Sequence, residues 1–358
     1  MQNEVSPHQA ASRFEHFKQL DGLRGVSIIL VLIGHIAPLS WTFNQVTLAL
    51  GQLGSLGVLL FFVLSGFLIT GLLLDEENVD GKICLPKFYM RRVLRIMPAY
   101  YLMLGSVIVL MMLSLITDVP WYAIPINAFY LSDFAGRGLS LGHTWSLSVE
   151  EQFYLLWPWF LSRTTKHRIT VALLLAGIAP VCRAVAACTN SYEPWHYVRP
   201  YYWLDAILIG CSLALVWTFH RAKMSTLFER FNAGIVFFGL IGWTLGAPQI
   251  QLTEPFFRTV QVLLAGLLLA NLVVAKESRF AQLLCSNTLR WFGKISYSLY
   301  LWQQLFLVTK QPSWGILREW PIDLACTIAL ATLSYYFVEL PFLRVKKKWE
   351  PAIARTST

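Results

Sequence analysis

The chain has 358 residues, of which 56% are apolar and only 14% charged, and its mean hydropathy is +0.54. Soluble domains of this length seldom tolerate that balance, so a soluble fold is excluded and a bilayer is the natural solvent. A formal charge of +9 is compatible with nucleic-acid binding, but the basic residues stand at the ends of apolar runs rather than on one polar domain, so no nucleic-acid partner is expected.

The first twenty residues are polar and carry Glu4, Arg13, Glu15 and Lys18, which does not fit a cleavable signal; the first apolar run is expected to remain as a helix. Runs near 24–43, 53–74, 98–117, 144–161, 168–187, 203–219, 232–247, 256–274, 291–309 and 322–341 have roughly the length needed to cross about 30 Å of hydrocarbon. They predict an all-α polytopic bundle of about ten transmembrane helices, and the shorter alternation of a membrane barrel is absent. Placing the N-terminus in the cytoplasm leaves outside only Arg137, Arg183, Arg199, Arg258, Lys310 and Arg318 of the 29 Lys and Arg residues, so both termini are expected there. The chain then divides into a cytoplasmic segment 1–19, a membrane domain 20–343 and a short basic tail 344–358. The 118–142 stretch is external or re-entrant, and the external loop 189–203 (TNSYEPWHYVRPYYW) reads first as an interfacial aromatic belt, with a sugar-stacking surface as the alternative. Six scattered cysteines lack the paired spacing of a zinc site or a disulfide framework, and no metal is expected.

In chain order, the first chemical mark is LDGLRGVSIILVLIGHI, in which Arg24 stands at the cytoplasmic boundary and His35 eleven residues on. Eleven helical steps make three turns plus about 20°, so both project from one face, roughly 16 Å apart along the axis. A neutral imidazole near mid-membrane is suited to take a proton from a hydroxyl, which makes His35 a general-base candidate. SLGVLLFFVLSGFLITG places Ser65 and Gly66 within the second span, where small residues commonly serve close helix packing. LPKFYMRRVLRIMPAYY sets Arg92 and Arg95 on one helix face, a geometry able to clamp phosphates; a topogenic basic cluster is the alternative. GHTWSLSVEEQFYLLWP carries Glu150 and Glu151 into an apolar helix, about 100° apart, so one can support His35 while the other bonds a different helix. FGKISYSLYLWQQ adds Tyr297, a supporting candidate together with Ser65 and Glu151, and FVELPFLR puts Glu339 near the inner surface.

Together these segments resemble the membrane-bound acyltransferase 3 family over nearly the whole chain. The marks are Arg24 with His35, the LSGFLI stretch from Leu64 to Ile69, Arg92 with Arg95, WSLSVEEQFY from Trp145 to Tyr154, and ISYSLYLW from Ile295 to Trp302. The resemblance implies an acyltransferase domain across 20–343 in a bacterial inner membrane. It also implies a donor such as acetyl-CoA, or another acyl-CoA, bound from the cytoplasm as co-substrate, with no tightly held cofactor. The same resemblance implies Arg92 and Arg95 near the donor phosphates, Arg24 guiding the donor, Glu150 supporting the histidine, and His35 deprotonating a hydroxyl of a glycan or glycolipid or carrying the acyl group itself. One departure stands out: the family often reads Tyr-Leu-Trp-His where this chain has Tyr300, Leu301, Trp302 and Gln303. The competing reading is a transporter of an anionic or sugar substrate with Arg24, His35 and Glu150 as a proton relay. The acceptor, the acyl chain and the oligomeric state are not legible in the sequence.

Overall fold

The computed structural model describes residues 17–40, 45–135, 138–189, 198–246, 254–308 and 312–349, and among these no strand occurs. In chain order come α1 (Lys18–Ser40), α2 (Gln45–Asp80), α3 (Leu85–Met112), the short α4 (Ala123–Ala128) and α5 (Thr144–Arg163). They are followed by α6 (Arg168–Ala176), α7 (Ile178–Cys188), α8 (Leu204–Phe219), α9 (Arg221–Phe228), α10 (Ala233–Leu245) and α11 (Glu254–Val274). The chain ends through α12 (Arg279–Leu284), α13 (Asn287–Lys294), α14 (Ser296–Gln303), α15 (Ile322–Ser334) and α16 (Leu340–Lys346). Most of the N-terminal segment, the loop at 190–197 and the tail beyond 349 lie outside the described residues.

The protein is a polytopic helical membrane protein. Among the described residues each of the ten expected runs overlaps helical chain, but by length and composition six stretches can cross a bilayer: α1, α2, α3, α6 with α7, α11, and α15 with the chain that follows it. Joining α8 to α9 across their 116° bend makes seven, and a count of ten is not established. The physical reasons are local. Glu150, Glu151 and Arg163 interrupt the hydropathy of α5, α10 has only 13 residues, and α14 runs into the π-helical Gln304–Val308.

Small residues let the central helices approach closely. A Cβ on Gly66 of α2 would strike the Ile207 carbonyl of α8, and one on Gly210 of α8 would strike the Val63 carbonyl of α2, so this crossing is backbone against backbone. Gly34 of α1 meets Gly54 of α2 in the same way. On its other side α1 lies against α13, where Gly25 faces Leu289 and Gly293. The result is a core of α1, α2 and α8 with α13 and α14 alongside.

Buried charges pin the periphery. Arg183 of α7 forks onto Asp205 of α8 at 2.6 and 3.2 Å and also donates to the Tyr202 carbonyl and the Thr259 hydroxyl of α11. Arg168 binds both carboxylate oxygens of Glu77, at 2.6 and 2.8 Å, and Arg91 pairs with Glu76. The 118–142 stretch is a seated cap: Asp118 accepts from the Ser140 amide and hydroxyl at 2.7 and 2.8 Å, closing the stretch on itself. Buried Asn127 and Ser132 bond Thr144 and Ser148 of α5, fixing it to the bundle.

Candidate active site

Five helices wall an open cavity of about 670 Å³, its solvent-open mouth included. α1 contributes Arg24, α2 Ser65, α3 Arg92 and Arg95, α5 Glu150 and Glu151, and α14 Tyr297. Seven of the eight candidate site residues, all but His35, therefore meet around one space. In each case periodicity does the positioning: Arg92 and Arg95 are three apart on α3, and Leu147, Glu150, Glu151 and Tyr154 follow the i, i+3, i+4, i+7 face of α5.

The charges compensate one another at close quarters. Glu150 accepts a 2.7 Å hydrogen bond from the Ser65 hydroxyl, which fixes the carboxylate against α2. The Arg92 guanidinium lies over the Tyr154 ring at 4.8 Å and the Phe88 ring at 5.6 Å, holding the cation flat against the cavity wall. Among the described residues the Arg24 Nε is buried and has no hydrogen-bond partner. Three guanidiniums face two carboxylates, so the space keeps one positive charge in excess when both acids are ionised. Such a wall suits an anionic ligand with several acceptor oxygens.

His35 stands apart from this cavity. It shares α1 with Arg24, but eleven residues of helical rise carry it about 16 Å toward the far end of that helix. Its Nδ1 lies 2.8 Å from the Val31 carbonyl oxygen. A carbonyl only accepts, so the neutral ring carries its proton on Nδ1 and leaves Nε2 with a lone pair, the tautomer that a general base needs. The described hydrogen bonds of Glu150 run to Ser65, and none joins it to His35. The expected division of labour between the two glutamates also differs. Both line the same cavity, because its width admits side chains separated by one helical step.

Sequence reasoning left several lining residues unassigned: Ser146, Tyr154, Ser296, Tyr300, Phe61 and Phe62. Tyr300 is the most informative. Its hydroxyl bonds Ser146 at 2.5 Å and donates to the His143 carbonyl at 3.1 Å, tying α14 to the start of α5. The signal was present, since Ser296 and Tyr300 lie four apart on one face of α14.

Comparison with known proteins identifies the family of the chain. The family model described as Acyltransferase domain matches residues 17–339. The chain is similar to a putative peptidoglycan O-acetyltransferase, YrhL, of Bacillus subtilis, at 32% identity over 90% of this chain and 54% of the relative. It is also similar to the peptidoglycan O-acetyltransferase OatA of Listeria monocytogenes, at 29% identity over 91% of this chain and 56% of the relative. A putative O-acetyltransferase of Staphylococcus aureus is 27% identical over 95% of this chain and 60% of its own length. The chain thus spans little more than half the length of the curated relatives it matches, and no solved structure matches it. The match across 17–339 places this chain in the membrane-bound acyltransferase 3 family.

Proposed function

We propose that this protein is a membrane O-acyltransferase that moves an acetyl or other short acyl group from a cytoplasmic acyl-CoA to a hydroxyl of an extracytoplasmic glycan. The observation that carries this reading is the cavity itself: Arg24, Arg92 and Arg95 converge on the helix that bears His35, with a surplus of positive charge for the donor's phosphates. The donor enters by the arginine end, and its acyl-bearing arm runs along α1 toward His35. The glycan approaches from the opposite face.

At His35 the acceptor hydroxyl gives its proton to Nε2 while its oxygen attacks the thioester carbonyl. The Nδ1 bond to the Val31 carbonyl orients the ring and stabilises the imidazolium that forms. Collapse of the tetrahedral intermediate breaks the carbon–sulfur bond, and the departing thiolate takes the proton back from His35. Glu150, held by Ser65, and Glu151 balance the arginines and keep them extended into the cavity when no donor is present. The names of the Bacillus and Listeria relatives favour peptidoglycan as the glycan.

The experiment is acetyl transfer by the purified chain in liposomes, with acetyl-CoA on the arginine side and soluble muropeptides on the other, followed by mass spectrometry. Wild-type protein should acetylate the glycan. His35→Ala should lose about 100- to 10,000-fold in kcat while still folding. A wild type that neither binds acetyl-CoA nor modifies glycan would overturn the proposal and favour transport of an anionic substrate.

A further inference from the structure

Gln303 is the last residue of α14 and is fully buried. Among the described residues neither its Nε2 nor its Oε1 has a hydrogen-bond partner. Folded proteins rarely leave both ends of a buried amide unmatched, because the lost hydration is returned by nothing. Such a group is explained when something outside the chain satisfies it.

Its position says what that is. On α14, Ser296, Tyr300 and Gln303 fall within an arc of about 60°, and the first two line the cavity. Gln303 continues that face about 4.5 Å beyond Tyr300, in the direction away from Arg24's end. Gly25 of α1 and Gly293 of α13 touch, which sets the two chains level at that point. His35 lies ten residues past Gly25 on α1, and Gln303 lies at the far end of α14, which begins at Ser296 after the bend at Ile295. α14 and the π-helical Gln304–Val308 both pack against α1, and such π segments frequently accompany functional sites. Gln304 donates to the Leu139 carbonyl at 2.8 Å, anchoring the chain just past Gln303.

We infer that Gln303 is a further catalytic residue, whose amide receives the acyl carbonyl at the depth of His35. The inference rests on the proposed acyl transfer. As the acceptor oxygen bonds to the acyl carbon and its proton passes to His35 Nε2, the carbonyl π pair moves onto oxygen, and Gln303 Nε2–H donates to that developing oxyanion. The pair returns when the carbon–sulfur bond breaks and the thiolate leaves. Oε1 accepts from a second hydroxyl of the glycan.

The test compares wild type, Gln303→Met and Gln303→His in the liposome assay with acetyl-CoA and muropeptides, together with thermal unfolding in detergent. Gln303→Met keeps the volume and removes both unmatched polar atoms, so its Tm should equal or exceed that of wild type. Its kcat should fall about 100- to 1,000-fold with the KM for acetyl-CoA changed less than about threefold. Gln303→His, which restores a donor, should recover at least about a tenth of the lost rate. A kcat within about threefold of wild type in Gln303→Met overturns the inference and leaves acyl transfer standing. A Tm that falls together with kcat and is not relieved in Gln303→His assigns a structural role and likewise overturns it. A wild type that moves no acetyl group removes the functional reading and this inference with it.

Discussion

At the scale of the residue, the polar side chains that an apolar helix retains are the ones that carry information. Glu150 and Glu151 stand out in the sequence because charge within an apolar helix is costly, Arg92 and Arg95 because they share a helix face, and Arg24 because it shares one with His35; the structure brings all five to one cavity. Arg92 should act by its plane as well as its charge, since it lies against Tyr154. Arg92→Lys keeps the charge but loses the fork and the stacking. Steady-state turnover should show the KM for acetyl-CoA raised by about tenfold, or about 1.4 kcal/mol, with kcat little changed. An unchanged KM would move the donor's phosphates away from α3. The sequence hides the relation of the glutamates to their partners. Which hydroxyl holds Glu150 depends on α2 lying beside α5, and nothing within WSLSVEEQFY specifies Ser65.

At the scale of the element, helix identity was legible and helix contact was not. Runs of about twenty apolar residues can do little in a bilayer except form helices, because no water is present to bond a free backbone. Choice of neighbours comes from small residues scattered along those runs. Gly66 and Gly210 sit where α2 and α8 cross backbone to backbone, so Gly66→Leu should push the helices apart. The expected cost is about 1–3 kcal/mol, seen as a lower Tm in detergent; an unchanged Tm would show that the crossing is loose. The Arg183–Asp205 pair is a second case, since each residue alone reads as an isolated charge in the sequence. Arg183→Met should destabilise by about 3–5 kcal/mol by leaving a buried carboxylate unmatched, and adding Asp205→Leu should restore most of it. Failure of the double variant to recover would mean that Arg183 acts mainly through Tyr202 and Thr259.

At the scale of the whole molecule, orientation follows from the distribution of basic residues, and it can be checked directly. Cys188 is exposed at the end of α7, on the face that the positive-inside rule assigns to the exterior, whereas Cys84 lies just before α3 on the opposite face. With single-cysteine variants in right-side-out vesicles, a membrane-impermeant maleimide should label Cys188 and spare Cys84, and inverted vesicles should reverse the pattern. Labelling of Cys84 from outside would invert the topology and, with it, the side proposed for entry of the acyl donor.

The sequence by itself determined the solvent, the helical class, the family and seven of the residues around the cavity. Those follow from local physics: apolar length, the cost of a charge in lipid, and helical periodicity, all of which act over a few turns of one helix. Only the tertiary structure decided that Ser65 holds Glu150, that His35 lies beyond the arginine cavity with its Nδ1 on the Val31 carbonyl, and that Gln303 is buried without a hydrogen-bond partner among the described residues. Each of those depends on which helices touch and at what height. That is set by close approach at glycines such as Gly34 and Gly54, whose meaning appears only when two distant segments meet.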